Sequence, residues 1–208
     1  MVKNQILRAV ELLRQGNLVA FPTDTVYGLG ADARNEQAIL KVFELKQRPF
    51  DRPLIVHIPN LEHLAIWANA DYLKQDVFKL VEIFWPGPLT IVVKKSSLVS
   101  DLITAGQDNI AIRIPDHPIA LELLKIFDSG IVGTSANLSG NISNVTGTQV
   151  AEEFNNIFIL DDCGAGCSKM GVESTIISLV EQPVILRQGA IKTEQLRSCL
   201  GRDVLVRT

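Results

Sequence analysis

The residues best suited to do chemistry lie in the segment KQRPFDRPLIVH, which runs from Lys46 to His57. Lys46, Arg48 and Arg52 place three cations within seven residues. Two prolines restrict the backbone between these cations and the apolar run that follows. The segment is typical of a site that holds an anion in fixed geometry, although a basic loop before a buried strand would have a similar composition.

Further hydrogen-bond donors stand near other predicted strand ends. Arg113 and Arg187 carry guanidinium groups, which suit phosphate and carboxylate because they offer two parallel donors. Fixed donors without a nucleophile favour phosphoryl or nucleotidyl transfer, in which the protein positions reactants and stabilises charge. The alternative is that the hydroxyl and amide side chains only cap helices and form turns. The neutral donors are Thr23, Thr25, Ser135, Asn137, Ser139, Ser143 and Ser174.

Common catalytic and nucleotide-binding motifs are absent from the sequence. No GxGxxG, GxxxxGK[ST] or HExxH pattern occurs. Ser135 lies in GTSANLSG, which does not match the GxSxG motif of hydrolases. Cys163 and Cys167 bracket the turn CGAGC, but a zinc site would need further ligands that the sequence does not supply nearby. We therefore predict no protein-bound metal.

Composition limits the classes of protein that fit. The 208 residues, 47% of them hydrophobic, suffice for one large domain with a buried core. The net charge of −3 disfavours a general nucleic-acid binder. No apolar run reaches the roughly 20 residues that span a membrane, and the charged, amphipathic N-terminus differs from a signal peptide. Three cysteines without a secretion signal indicate reduced thiols, hence a cytoplasmic protein.

Hydrophobic periodicity predicts interleaved helices and strands, with a shaped loop at PTDTVYGLG, residues 22–30. This order favours a single α/β domain with a mixed sheet, in which ligands gather at strand ends. The predicted helices cover residues 4–15, 35–45, 61–68, 71–84, 118–127, 148–154 and 193–200. The predicted strands cover residues 18–21, 54–58, 89–93, 110–114, 131–132, 157–160, 174–179, 184–186 and 204–206.

Seven segments occur in an order that resembles one known family. They are PTDTVYGLG, KQRPFDRPLIVH, FWPGPLT, AIRIP, TSANLSG, GVESTII and VILRQGAI. Together they resemble the YrdC/TsaC family of threonylcarbamoyl-adenylate synthases, with a core over residues 5–191 and a short tail over 192–208. The resemblance implies a single YrdC-like domain over residues 1–208, without the second domain of the family's long branch. It also implies a twisted mixed β-sheet flanked by helices, with a large concave, positively charged cavity.

The resemblance assigns roles to twelve residues. Those implied for catalysis form a tetrad around the nucleotide: Lys46, Arg48, Ser135 and Asn137. Those implied for threonine binding are Thr25, His57, Arg113 and Ser174. Those implied for ATP binding are the tetrad and Arg52, Asn109, Ser143 and Arg187. Two of these residues depart from the usual pattern. Many members have Asn or Lys at the position of Arg52, and Thr often occupies the position of Asn109.

The implied reaction joins L-threonine, bicarbonate and ATP to give threonylcarbamoyl-AMP and pyrophosphate. ATP is a substrate and Mg²⁺ is expected with it. The implied partners are a downstream threonylcarbamoyl-transferase complex and tRNA, with no membrane. Two alternatives stay open at this point: an RNA-binding module without catalysis, and a YciO-like paralogue that acts on another carbamoyl or nucleotide substrate.

Overall fold

The structure is a computed structural model that describes residues 2–160, 168 and 170–207. Cys163 and Cys167, considered above as zinc ligands, lie outside these residues. The described helices are α1 Val2–Arg14, α2 Glu36–Lys46, α3 Leu64–Trp67, α4 Gln75–Phe84, α5 Asp101–Thr104, α6 Pro118–Phe127, α7 Gly147–Glu153 and α8 Thr193–Leu200. The described strands are β1 Val19–Phe21, β2 Gly28–Asp32, β3 Ile55–His57, β4 Leu89–Lys94, β5 Asn109–Arg113, β6 Ile131–Ser135, β7 Phe158–Ile159, β8 Thr175–Ser178, β9 Val184–Arg187 and β10 Leu205–Val206.

All ten described strands belong to one sheet, in the order β10-β9-β8-β4-β5-β3-β6-β2-β1-β7. The central strand β3 runs parallel to β5 and antiparallel to β6. Strand β4 runs antiparallel to β5 and parallel to β8. The prediction of a mixed α/β fold, with a large twisted sheet and flanking helices, is therefore confirmed.

Two hydrophobic clusters stabilise the sheet and its helices. The larger joins α2 and α4 to strands β2 to β6 and includes the buried Phe43, Leu80 and Ile112. The smaller is formed mainly by α1, β1 and α6, with Leu13 and Leu123 fully buried. Because apolar faces lie against one another throughout, the central strands that carry the polar site have little freedom to shift.

Helix α2 delivers Lys46 to the interior. The Asn35 side chain caps its first turn by accepting a hydrogen bond from the Ala38 amide at 3.1 Å. The helix ends at Lys46, and Gln47 then takes the left-handed conformation, with φ of 51°. This turn ends the helix so that the Lys46 side chain is almost fully buried.

Strand β2 begins at Gly28, inside residues 22–30, which were predicted to be a loop, so the prediction was wrong for residues 28–30. Its sequence, GLGAD, lacks the β-branched and aromatic residues that usually indicate a strand. Packing explains the glycines, since a Cβ on Gly30 would lie 2.8 Å from the ring of Phe21 and 2.7 Å from Ile131. Tertiary contacts that no local pattern reports thus favour glycine in this strand.

Two helical predictions also need correction. The helix predicted over 71–84 begins only at Gln75, after a separate 3₁₀ turn at Ala70–Tyr72. The short helix α5 was not predicted; the side chain of Ser100 caps it by accepting a hydrogen bond from the Leu102 amide at 3.3 Å. In the part of the chain that the structure describes, no helix combines the length and apolar character needed to cross a membrane.

Candidate active site

A cavity of about 350 Å³ lies against the sheet at strands β3, β5 and β6. Strands β3 and β5 line it through alternate residues, as expected because alternate side chains point to the same face. Strand β6 lines it through its last three residues, 133–135. Eight of the twelve predicted site residues line this cavity: Thr25, Arg48, His57, Asn109, Arg113, Ser135, Ser174 and Arg187. The remaining four, Lys46, Arg52, Asn137 and Ser143, do not line it.

Arg113, the last residue of β5, is held on three sides. Its Nε donates a hydrogen bond to the Gly87 carbonyl at 2.9 Å, and its Nη1 donates to Thr25 Oγ1 at 2.9 Å. Its Nη2 donates to the Asp24 carboxylate in a buried ion pair. Burial lowers the pKa of Arg113, while the charge of Asp24 opposes that shift. A guanidinium has five N–H donors, so two remain for a ligand.

The loop between β1 and β2 is shaped by its own hydroxyl groups. Thr23 Oγ1 donates to the Val26 carbonyl at 2.6 Å and accepts from the Thr25 amide at 3.2 Å. The Asp24 carboxylate also accepts from the Asp116 amide at 3.0 Å. The loop therefore presents Thr25 to the cavity in a defined position beside Arg113.

His57, at the end of β3, lies next to Arg113 in the sheet register. The ring is buried and packs edge-on against Phe21, with ring centroids 5.9 Å apart. Burial, and then the charge of Arg113, lower the pKa of His57 to about 3. The imidazole is therefore neutral near pH 7, and its Nδ1 makes no hydrogen bond to any described residue.

A second cluster of polar groups joins β8 and β9. Arg187 donates from Nε to the Ser174 carbonyl at 3.1 Å and from Nη2 to Ser174 Oγ at 3.1 Å. Its Nη1 forms an ion pair with Glu173. Ser143 Oγ donates to the other oxygen of Glu173 at 3.1 Å, which places Ser143 beside the cavity wall. Ser174 Oγ also lies 2.8 Å from Thr90 Oγ1.

Lys46 approaches the end of β6 from α2. Its Nζ donates to the backbone carbonyls of Ser135 and Asn137. Burial, and then the charge of Arg48, lower the pKa of Lys46 to about 8. Lys46 thus joins the segment of residues 46–48 to the segment that holds Ser135 and Asn137. The role of these four residues around a nucleotide stays a prediction.

Arg48 and Arg52 occupy different environments. Arg48 lines the cavity and donates from Nε to the Arg52 carbonyl at 3.2 Å and from Nη2 to the Pro53 carbonyl at 2.9 Å. Burial, followed by the charge of Arg52, lowers the pKa of Arg48. Arg52 is exposed and joins this network through its backbone. Its contact with ATP stays a prediction.

Asn137 and Asn109 each keep a buried carbonyl oxygen without a hydrogen bond to a described residue. Asn137 uses its Nδ2 to hold its own loop, donating to the Leu138 carbonyl at 2.8 Å and to the Asn141 carbonyl at 2.9 Å. Asn109, at the start of β5, lines the cavity at the opposite end of that strand from Arg113. Both oxygens are therefore candidate ligand acceptors.

Sequence reasoning missed two charged residues of the cavity wall. Glu173 is paired with Arg187, and the only sequence signal for it is its position beside Ser174 in GVESTII. Arg207 reaches the cavity because its strand neighbours on β10 pair with β9. No sequence pattern indicated that pairing. The cavity wall thus contains four arginines and one glutamate among the described residues: Arg48, Arg113, Arg187, Arg207 and Glu173.

Known proteins are similar in sequence to this chain over most of its length. A threonylcarbamoyl-AMP synthase from Pyrococcus abyssi is 44% identical over 93% of this chain and 56% of its own length. One from Bacillus subtilis is 42% identical over 95% of this chain and 57% of its own length. The chain therefore spans a little over half the length of these curated relatives.

Solved structures agree with this similarity. A crystal structure of P. abyssi Sua5 complexed with L-threonine matches all of this chain and 60% of that protein, with a TM-score of 0.92 and 40% identity. Escherichia coli YciO matches 94% of each chain with a TM-score of 0.81, but at 22% identity that likeness concerns the fold alone. The Sua5/YciO/YrdC family model, described as telomere recombination, matches residues 11–189. Since that match extends over most of the sequence, the chain belongs to the Sua5/YciO/YrdC family.

Proposed function

We propose that this chain catalyses the formation of threonylcarbamoyl-AMP and pyrophosphate from L-threonine, bicarbonate and ATP. The observation that carries the proposal is the buried Arg113, which keeps two donors for a ligand beside Thr25 and His57. The names of the curated relatives support the same activity.

Threonine would bind at the Arg113 end of the cavity. The two remaining guanidinium donors suit a carboxylate, and the fixed contacts to Gly87 and Thr25 reduce the cost of ordering them. The hydroxyls of Thr25 and Ser174 and the neutral ring of His57 would orient the amine and hydroxyl of the substrate. A neutral imidazole suits this role because it can donate or accept a hydrogen bond without repelling the ammonium form of threonine.

ATP would bind against Arg48, Ser135 and Arg187, with Lys46 adding positive charge beneath the β6 end. A volume of about 350 Å³ lies within the range of small-molecule sites, about 300–1,000 Å³. Asn109 and Asn137 would offer their unpaired carbonyl oxygens as acceptors. Ser143 would approach the nucleotide from its place beside Glu173. Arg52 would contact phosphate only after its exposed side chain turns toward the cavity.

The reaction needs no covalent nucleophile from the protein. The threonine amine would add to bicarbonate with loss of water and give a carbamate. A carbamate oxygen would then form a bond to the α-phosphorus, while the bond from that phosphorus to the bridging oxygen breaks and pyrophosphate leaves with the electron pair. The arginines would stabilise the negative charge that shifts to pyrophosphate, and the cavity would hold the two substrates at reacting distance.

Mg²⁺ would accompany the phosphates of ATP. No cluster of three or more His, Cys, Asp or Glu residues occurs among the described residues. Among the residues that the structure describes, Glu173 is the one carboxylate that lines the cavity, and it is paired with Arg187. These residues suit a magnesium ion held mainly by phosphate and water, with at most one protein carboxylate.

The product would be a reactive mixed anhydride that needs prompt capture. A transferase complex that passes the threonylcarbamoyl group to tRNA would consume it, so we propose such a complex as the downstream partner. Direct tRNA binding and a cytoplasmic location are parts of the same proposal. The alternative of a purely RNA-binding module lacks a specific supporting observation in the described residues, because two of the cavity arginines are already paired with acids.

The decisive experiment measures pyrophosphate release by the purified chain. We expect release from ATP only when threonine and bicarbonate are both present. Arg48→Ala should abolish release, whereas Arg34→Ala, which removes an exposed arginine after β2, should leave it unchanged. Binding of RNA without any pyrophosphate release would reject the proposal.

A further inference from the structure

The loop of residues 136–144 connects β6 to the segment before α7 and carries Asn137 and Ser143. It is held on one side by Lys46, whose Nζ donates to the carbonyls of Ser135 and Asn137. A further bond runs from the Ser139 amide to the Lys46 carbonyl at 3.1 Å. The other side of the loop is held by a residue that no motif indicated.

That residue is Glu153, the last residue of α7. One carboxylate oxygen accepts from the Leu138 amide at 2.8 Å and from Asn141 Nδ2 at 2.8 Å. The other accepts from Asn144 Nδ2 at 2.6 Å. Three donors from the loop therefore converge on one side chain. Hydrogen bonds to a charged acceptor are stronger than neutral ones, so these contacts restrict the loop effectively.

Through Asn144, the same hydrogen-bond network also reaches the loop between β1 and β2. Asn144 Nδ2 also donates to the Ala136 carbonyl at 2.7 Å, and the Asn144 carbonyl accepts from the Tyr27 amide at 2.8 Å. The Ala136 amide donates in turn to the Tyr27 carbonyl at 2.8 Å. Through Asn144, Glu153 is thus connected to both ends of the 136–144 loop and to Tyr27.

The position of Glu153 in its helix is unfavourable for helix stability. A negative charge at a helix C-terminus opposes the helix dipole. Burial acts to raise the pKa of Glu153, but the hydrogen bonds from Leu138, Asn141 and Asn144 outweigh that effect and leave the pKa below its ordinary value. The carboxylate is therefore ionised near pH 7. The loop donors compensate the unfavourable interaction of its charge with the helix dipole.

We propose that Glu153 is a positioning residue for the nucleotide: its carboxylate holds the 136–144 loop, so that Ser135, which lines the cavity, and Asn137 and Ser143, which follow it in the adjoining loop, keep their places. The identity of the nucleotide as ATP rests on the proposed function. Glu153 itself does not line the cavity, so it acts through the loop and not by direct contact.

The test compares ATP and threonine binding, each measured by calorimetry, in Glu153→Ala, Glu153→Gln and the matched control Glu152→Ala. Glu152 is the exposed neighbour of Glu153. We expect Glu153→Ala to weaken ATP binding about tenfold, with threonine binding unchanged, because loss of a charged acceptor leaves three loop donors unpaired. Glu153→Gln keeps one oxygen but turns a donor toward Asn144, so it should give an intermediate loss. Glu152→Ala should match the wild type.

Two outcomes would overturn the proposal. One is unchanged ATP affinity in both Glu153 variants, whatever their melting temperatures. The other is an equal loss of ATP and threonine affinity, which indicates a general role in stability. Glu153→Gln has almost the same shape as the original residue and keeps the test valid where Glu153→Ala does not fold. Because binding is measured without turnover, a failure of the proposed reaction is distinguishable from a failure of this inference.

Discussion

Asp24 and Arg113 form a buried ion pair in which the carboxylate holds one end of the guanidinium while the Gly87 carbonyl and Thr25 hold the rest. The pair joins the loop after β1 to the end of β5. It leaves two N–H donors of Arg113, a residue that lines the cavity, without a partner among the described residues. The carboxylate therefore works as an orienting group for the residue that we expect to bind threonine.

The Asp24→Asn substitution tests that relationship. It leaves the Arg113 charge buried without its counter-ion, and breaking a buried pair typically costs about 3–5 kcal/mol of stability. We expect a lower melting temperature and a threonine KM that rises more than the ATP KM. The control is Asp116→Asn, which changes an exposed acid close to the same pair. Equal rises in both KM values would contradict an orienting role.

The pKa of Lys46 predicts a pH dependence. Since this pKa is about 8 in the free protein, Lys46 loses its positive charge as the pH rises through that value. We expect kcat/KM for ATP to fall above about pH 8. In the ATP complex the nearby phosphates favour the charged form, so the fall in kcat should occur at higher pH. Steady-state rates from pH 6 to 10 measure the pH dependence of kcat/KM and of kcat. A kcat/KM that stays level to pH 10 would exclude a charge-dependent role for Lys46.

Gly133 is expected to be essential for the position of His57. A Cβ at Gly133 would lie 2.8 Å from His57 Nε2, a contact that forces the ring to move. Gly133→Ala should therefore cost about 1–3 kcal/mol, as overpacking of a buried site does, and should weaken threonine binding. Thermal unfolding and calorimetry measure the two effects.

The double variant His57→Ala, Gly133→Ala provides the control for this contact. Removing the ring removes the contact, so adding Gly133→Ala to His57→Ala should cost much less stability than adding it to the wild type. Equal costs in the two backgrounds would show that the added methyl group disturbs another neighbour.

Glu173→Gln tests the charge balance at the phosphate end of the cavity. Arg187 stays oriented by its two bonds to Ser174, so removing the Glu173 charge should mainly increase the positive potential. Both partners of the Arg187–Glu173 pair are about one third exposed, so we expect only a few-fold tighter ATP binding at low salt and less at high salt. Weaker ATP binding in the presence of Mg²⁺ would instead identify Glu173 as a ligand of the nucleotide-bound ion.

Eight of the twelve residues predicted for the site from the sequence line the cavity. Arg113 and His57 were expected at strand ends, and they lie side by side because β3 and β5 pair in parallel. Strand β2 was not predicted, because its glycines lack local strand preference and make room for the Phe21 ring and the Ile131 side chain on neighbouring strands. The hydrogen bonds that Glu153 accepts were also not predicted, since the three donors converge on its carboxylate only in the folded chain.

For this protein the sequence alone determined which donors and acceptors are present, the approximate bounds of most helices and strands, and the family to which the order of motifs points. Only the tertiary structure determined how those donors are used. Lys46 donates to the backbone carbonyls of Ser135 and Asn137. Arg113 keeps two N–H donors without a partner among the described residues, and Arg52 does not line the cavity. The physical reason is that periodicity depends on neighbours in the chain, whereas the pairing of a buried polar group depends on strands and loops that are distant in sequence.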